Sequence, residues 1–460
     1  MSHKKEPELT GRIVLPNDPQ YDAARQEFNT FFNRFPLVIV FAQETQDVVN
    51  AVRWARFYDV PIRMRSGRHN YEGLSVVDAG IVIDISEMKR VEVDRKRGTA
   101  TVQTGIRDFA FYEALGSEEL VVPVGLCPTP GIAGLTLGGG ASMLVRLYGL
   151  TIDSLLELEM VDAKGHLLHA NADHHSDLFW ASRGGGGGNF GICTVFRFRT
   201  HRIETVAYVE IGWDLRDLEP VLQTWQDYTT PGADERLTPV LTVASGLQPM
   251  FPAHQPQETF PLLMQGVFLG PAEELRHLLR PLLRAGTPQK VTIEEIPWLE
   301  SVARVAATQP GSPLPFKSVV PFIHERLPGT AIAVIRRFIE APPTSMAGVF
   351  FHGLGGAVAR VPSQATAYFY RQARFNMSIL ASWNVPEGAA LGIHWVEDFR
   401  RAMLPFTRGD YVNGPDLSIK DWPKAYYGSN FKRLTEVKAK YDPENVFNFP
   451  QSIPPACKDA

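Results

Sequence analysis

The chain has 460 residues, 44% of them hydrophobic and 21% charged, with 46 Lys and Arg against 50 Asp and Glu for a net charge of −4. That length exceeds one ordinary core and implies two domains, or one large α/β unit with an insertion, while the near-balanced charge gives no electrostatic ground for a nucleic-acid or acidic-membrane partner. Three cysteines, Cys127, Cys193 and Cys457, with no Cys-x-x-Cys pair, exclude a disulfide framework and a cysteine-rich metal site.

In chain order, Met1 to Glu8 carries positive residues with no apolar run behind them, so it does not read as a secretory signal. No apolar run is long enough to span a bilayer. The expectation is a soluble, cytoplasmic protein. Pro36 to Phe41 predicts a short buried strand, and Thr45 is placed as the cap of a helix carrying Val48, Ala51, Val52 and Ala55 at helical spacing. Val60 to Arg65 returns as a strand, a loop over residues 66–73 follows, and Ile81 to Asp84 is the next strand. Arg90 to Asp94 and Thr99 to Thr104 flank a turn with Gly98, which predicts a hairpin.

Residues 107–120 read as a helix, and the glycines from Gly131 to Gly140 let backbone approach a ligand closely. Leu155 to Asp162 and His166 to Ala170 form a second hairpin about Gly165, and Asp177 to Ala181 a short helix. In Ile192 to Thr200, Phe196 and Phe198 alternate with Arg197 and Arg199 as in a half-exposed strand. Composition shifts near residue 205. From there to about 405 strands such as Pro261 to Phe268 alternate with helices such as Ala272 to Leu283, and this stretch reads as a second domain. A last helix is expected at Ser429 to Lys440, closed by Tyr441-Asp442-Pro443.

Gly186-x-Gly188-x-x-Gly191 matches the dinucleotide-binding pattern by letter, but that pattern requires a helix after it, whose N-terminus meets the pyrophosphate. A strand follows here, so a Rossmann site is rejected. No phosphate-binding P-loop, nucleophile elbow or zinc-protease motif is present. His169, His174, His175 and Asp177 repeat no ligand spacing and read as a polar loop, and His394 with Glu397 and Asp398 reads as a helix surface, so no metal is expected. His69 alone reads as a loop histidine satisfied by backbone, and Cys127 alone as a small buried hydrophobe. Both sit in glycine-containing loops, and together they could reach one large flat ligand, such as a flavin.

The segments Arg65-Ser66-Gly67-Arg68-His69-Asn70-Tyr71-Glu72-Gly73, Gly125-Leu126-Cys127-Pro128-Thr129, Asp177 to Gly191 and Tyr441 to Pro455 resemble the berberine-bridge-enzyme-like branch of the vanillyl-alcohol-oxidase flavoproteins, in the family's order along nearly the whole chain. The resemblance implies an α+β fold: a two-part FAD-binding domain of the PCMH type, residues 1–205 with a C-terminal segment 406–460, and an inserted substrate domain, 206–405, with an antiparallel sheet backed by helices. It implies FAD joined through His69 to the 8α-methyl and through Cys127 to C6. The cofactor-binding positions implied beside these are Arg65, Ser66, Gly67, Arg68, Asn70, Gly131, Gly134, Leu135, Gly188, Gly191, Ile192 and Asn413, with the loop 66–70 wrapping the pyrophosphate as a nest of N–H groups.

Two departures bear on function. Where the family commonly has Tyr-x-Asn-Tyr-x-Asp, with the second tyrosine as base, this chain reads Tyr411-Val412-Asn413-Gly414-Pro415-Asp416; and the oxygen-controlling third residue after the cysteine is Pro130. Tyr148 in its Tyr-Gly motif and Tyr411 are the expected catalytic replacements, with Tyr370 a further candidate. An unperturbed tyrosine pKa of about 10 calls for a nearby donor, for which Arg146, Arg371 and Arg374 stand as candidates. The expected activity is hydride removal from a carbinol of a sugar or bulky secondary metabolite, with O2 reoxidising the flavin to give H2O2. The alternatives are a dehydrogenase with another acceptor or acting on an amine, and a flavin-loaded binding protein without turnover.

Overall fold

Val38–Phe41 is an uninterrupted apolar run, and all four residues are buried. In the computed structural model, which describes residues 6–245, 260–309, 311–344 and 346–457, this strand pairs in parallel with Ile81–Asp84, which pairs in parallel with Ile62–Arg65. Arg12–Val14 closes the other edge antiparallel. Parallel strands need a crossover, and the helix Thr45–Tyr58 supplies the one from Val38–Phe41 to Ile62–Arg65, on the far side of Ile81–Asp84. Its cap is Glu44 rather than Thr45: the Asp47 N–H donates to the Glu44 carbonyl at 3.1 Å, and the Asp47 carboxylate reaches back to accept the Glu44 N–H at 3.2 Å. Residues 1–5, part of the segment read for a signal, lie outside the described residues.

The second sheet is antiparallel, in the order Val91–Asp94, Thr99–Gln103, Ile192–Arg199, Leu155–Val161, Leu167–Asn171. Both expected hairpins form, with Gly98 at φ +61 and Gly165 at φ +74. Phe196 and Phe198 are fully buried while Arg199 is exposed, as period two demands. The Gly186 to Gly191 run feeds this strand and no helix follows it, in agreement with the rejected Rossmann reading.

The third sheet has eight antiparallel members, seven of them in the order Lys290–Pro297, Thr205–Trp213, Leu262–Phe268, Leu237–Ser245, Met346–Gly353, Phe375–Ser382, Phe316–Val319, with Phe322–Ile323 beside Phe375–Ser382. Alternation splits its two faces. Leu241, Val243, Val349, Phe351, Met377 and Ile379 pack against Leu222, Ile335 and Phe399 of the helices Leu218–Trp225, Gly329–Glu340 and Gly388–Met403. The intervening residues point the other way, toward the first two sheets. Helices mixed with antiparallel sheets, beside one mainly parallel sheet, agree with the α+β fold that the resemblance implies.

Four boundaries differ from expectation. The Ala272 to Leu283 helix breaks into Ala272–Leu278 and Arg280–Leu283 at Pro281, which has no N–H to continue the ladder. The helix expected over 107–120 ends at Gly116, and Leu120–Val121 pairs with His201–Arg202. Gly428–Asn430 forms a 3-10 turn before the helix Phe431–Tyr441. The glycine-dense stretch holds a helix, Ile132–Gly138, that glycine propensity hides. Among the described residues no helix is long and apolar enough to cross a membrane.

The C-terminal segment is fastened to the glycine run by Lys438. Its ammonium donates at 2.7 Å to each of Asp442 Oδ2, the Asn189 carbonyl and the Phe447 carbonyl, and both charged side chains are fully buried. Asn189 Oδ1 accepts from Ile453 N–H at 2.8 Å. Removing one partner of a buried pair strands the other charge, at about 3–5 kcal/mol. Lys438→Met is therefore expected to lower the thermal unfolding midpoint by an amount equivalent to about that loss, measured by calorimetry; a midpoint equal to that of the unsubstituted protein would show that the pair contributes nothing net.

Candidate active site

One cavity of about 480 Å³ runs between the sheets, walled by the loop after Ile62–Arg65, the Cys127 loop, the helix Ile132–Gly138, the glycine run before Ile192, residues 411–415, and the free face of the third sheet. At one end, Arg65 is fully buried and its guanidinium is committed to Asp84 at 2.7 Å and Glu27 at 3.2 Å. It anchors the loop from behind. Arg68 has φ +64 and its guanidinium turns back to the Ala23 and Gln26 carbonyls. Asn70 Oδ1 accepts the Glu72 and Leu74 N–H groups, both at 3.0 Å.

Among the described residues no hydrogen bond takes the backbone N–H of Gly67, Arg68, His69 or Asn70. Consecutive free N–H groups around a left-handed residue make an anion nest. Gly67 and Gly131 let two loops touch: a Cβ on Gly67 would lie 2.0 Å from the Gly131 nitrogen, and one on Gly131 1.9 Å from Ser66 Oγ. Gly134, by contrast, faces open space, with nothing within 4 Å of where a Cβ would stand. Leu135, Gly188, Gly191 and Ile192 line the same cavity. These features fit an elongated ligand with a phosphate end and a flat end.

His69 and Cys127 both reach the cavity. His69 stacks on Phe28 with ring centroids 3.9 Å apart and shares a 2.8 Å hydrogen bond between Nε2 and Thr129 Oγ1, so a residue of the cysteine loop orients the histidine. Burial, aided by the Arg107 charge, pushes the His69 pKa down to about 3: the ring is neutral. Cys127 Sγ donates to Gln309 Oε1 at 3.4 Å, and burial together with the Asp108 charge pushes the thiol up to about 12.

The two expected catalytic tyrosines part company. Tyr411 lines the cavity, its hydroxyl oxygen accepting the Gly140 N–H at 2.9 Å and Asn413 Nδ2 at 3.0 Å; Asn413 also donates to the Leu135 carbonyl at 2.9 Å. Burial raises the Tyr411 pKa to about 12 although both donors favour the phenolate. Tyr148 is not among the cavity's lining residues and stacks on His201, centroids 3.9 Å apart. Tyr370 donates to the Lys424 carbonyl at 2.6 Å. The three candidate arginines are occupied elsewhere: Arg371 grips Asp153, Arg146 the Leu354 and Ala233 carbonyls, Arg374 the Gln226 carbonyl. At Gly414 a Cβ would meet Val320 Cγ2 at 2.4 Å, so Val320, between the strands Phe316–Val319 and Phe322–Ile323, already fills the space where a side chain would begin.

Residues that the sequence reading missed come from the sheet face: Thr242, His352, Asn376, Ser378 and Ser318, with Gln309 and Asp108 beside Cys127. His352 is buried, and its Nε2 lies 3.1 Å from the Ser142 carbonyl. That nitrogen must carry the proton, which leaves Nδ1 as an acceptor; burial holds the pKa down to about 4. The signal existed, as period two in Met346–Gly353, but polar positions on a strand ordinarily read as solvent-facing. Lys317, from an edge strand of this sheet, bonds Glu72 of the nest loop and, at 2.9 Å, Asp416 of the C-terminal segment. Among the described residues no group of three His, Cys, Asp or Glu side chains is placed to hold a metal.

The family described as FAD binding domain matches residues 36–171, and that described as berberine and berberine like matches residues 410–454. The uncharacterized FAD-linked oxidoreductase YvdP of Bacillus subtilis (strain 168) is 43% identical over 98% of this chain and 99% of its own length. Among solved structures, BBE-like 1 of Physcomitrella patens superposes with a TM-score of 0.88 at 27% identity, covering 97% of both chains. Phl p 4, a grass pollen allergen with glucose dehydrogenase activity, superposes with a TM-score of 0.86 at 26% identity, again over 97% of both. Similarity of this depth along whole chains, falling on the segments that build the cavity, makes the chain a member of the berberine-bridge-enzyme-like family of FAD-linked oxidoreductases.

Proposed function

We propose that this chain is an oxidase in which FAD, joined through His69 and Cys127, takes a hydride from a carbinol carbon of a sugar-sized or bulkier hydroxylated molecule, with O2 as the final acceptor. The observation that carries the reading is one continuous cavity, lined by the N–H nest, His69, Cys127 and a sheet face of mixed polar and aromatic side chains. When bound, FAD supplies the hydride acceptor. Thr242, His352, Asn376 and Ser378 offer donors and acceptors suited to a polyol, and Phe350 offers an apolar face to a ring. Phl p 4, with its glucose dehydrogenase activity, supports a sugar over an amine.

Tyr411 is the proton acceptor in this reading. The Gly140 N–H and Asn413 amide would hold the phenolate oxygen in place, and its raised pKa means that the active form is scarce at neutral pH and grows with alkalinity. His352 favours a second reading of the same step: it lines the cavity and, with Nε2 on the Ser142 carbonyl, keeps a free ring nitrogen.

Protein treated with acid is expected to stay yellow. His69→Ala and Cys127→Ala should each leave FAD linked at the other residue, and only the double variant should lose it on denaturation, as read by peptide mass; flavin released by acid from the unsubstituted protein contradicts the attachment.

Anaerobic mixing with candidate sugars should bleach the flavin, and admitting air should restore the colour with formation of H2O2; bleaching that persists in air replaces oxidase with dehydrogenase. With Tyr411 as base, the bleaching rate rises with pH toward about 12, and Tyr411→Phe lowers it about 10²- to 10⁴-fold. A rate that is flat above about pH 4 and collapses in His352→Leu instead assigns the proton to His352.

A further inference from the structure

Asp108 opens the helix Asp108–Gly116 and is completely buried. Both of its carboxyl oxygens lack a hydrogen-bond partner among the described residues, although it lines the same cavity as Cys127. Buried carboxyls are ordinarily paired, so an orphan in a ligand cavity needs an explanation. Helix capping does not supply one, since neither oxygen takes a helix N–H.

What surrounds Asp108 is the cysteine loop. Its N–H donates to the Pro130 carbonyl at 3.0 Å, and the Phe109 N–H to the Pro128 carbonyl at 3.2 Å. Oδ2 stands so close to Gly125 that a Cβ there would be 2.1 Å away. The loop is therefore hydrogen-bonded to the start of this helix after Cys127 and packed against Asp108 at Gly125 before it.

We propose that Asp108 accepts the Cys127 thiol proton when the flavin bond to Cys127 forms, so that the chain catalyses its own second attachment. The inference rests on the proposed linkage of FAD to Cys127. A thiol pushed up to about 12 is ionised in roughly one molecule in 10⁵ at neutral pH, and the thiolate is the nucleophile. The Gln309 amide that receives the S–H cannot hold its proton, and neutral His69, at about 3, is too weak a base.

Burial raises the Asp108 carboxyl well above its usual range, toward the thiol it must deprotonate. The titratable groups that feel its charge are Tyr112, Cys127 and Tyr411, each pushed further up by it. None is a cation that would hold the carboxylate charged and inert. In the step, Cys127 Sγ bonds to ring carbon C6, the S–H proton passes to Asp108 and the C6–H proton to solvent. The two electrons of the broken C–H bond stay on the ring until O2 removes them, giving H2O2.

Peptide masses of purified Asp108→Asn protein should show FAD on His69 at full stoichiometry with the Cys127-linked fraction reduced at least about tenfold, the thiolate being unavailable without its base. The His69 linkage reports that the variant folds and loads. Cys127 linkage equal to that of the unsubstituted protein overturns the proposal, and an unsubstituted protein without any Cys127 linkage overturns the attachment reading beneath it. A second measurement needs no variant: protein made under riboflavin starvation and then given FAD in air should gain the Cys127 linkage at a rate that rises with pH and levels off once Asp108 is ionised. A rate that climbs without a plateau up to the thiol's own range of about 12 is unassisted thiolate chemistry and overturns the proposal.

Discussion

Lys317 is where the cavity closes. Its ammonium joins Glu72 of the nest loop to Asp416 of the C-terminal segment from an edge strand of the third sheet, so three parts of the chain that share no sheet are locked to one charge. The side chains of Glu72 and Asp416 are 7% and 1% exposed, against 12% for Lys317, so solvent screens the cluster weakly. A buried cluster of this kind adds little net stability over apolar packing but strongly penalises any arrangement that separates its members. It thereby fixes register between the nest, the sheet face and Tyr411, which is what a site assembled from distant segments requires.

The parts legible in the sequence are those in which local pattern and final environment agree. Val38–Phe41 is apolar because it is buried on both sides, and Gly98 and Gly165 mark hairpins because their φ values are positive. His69 and Cys127 were found because the residues around them form a motif. Asp108 was invisible, since an aspartate at the start of a helix reads as favourable dipole chemistry and nothing local reveals that it is buried and unpaired. His352, Asn376 and Ser378 were invisible for a related reason: alternation identifies two faces of a strand but not which face meets water, and here the polar face meets a cavity.

Tyr148 and Tyr411 illustrate the same limit from the other side. Both follow from short motifs, and only three-dimensional neighbours separate them: Gly139 and Gly140 bring backbone against Tyr411, whereas Tyr148 lies flat on His201. Gly414, read as a missing side chain, is the counterpart of Val320, which occupies the space that side chain would enter. A loss in one segment and a gain in another make one local repacking, which a motif confined to the first segment cannot express.

The fastening of Lys438, Asn413 and Ile453 onto earlier loops has a consequence for biosynthesis. Residues 411–415 and Phe449 are translated after the rest of the cavity wall, yet Asn413 supports the Ile132–Gly138 helix and Lys438 the glycine run. A nascent chain can complete the first two sheets' strands early, since those lie before residue 200, but it holds an open groove until the C-terminal segment arrives. The groove's wall is thus complete only when residues 411–415 and Phe449 stand against the loops made before them.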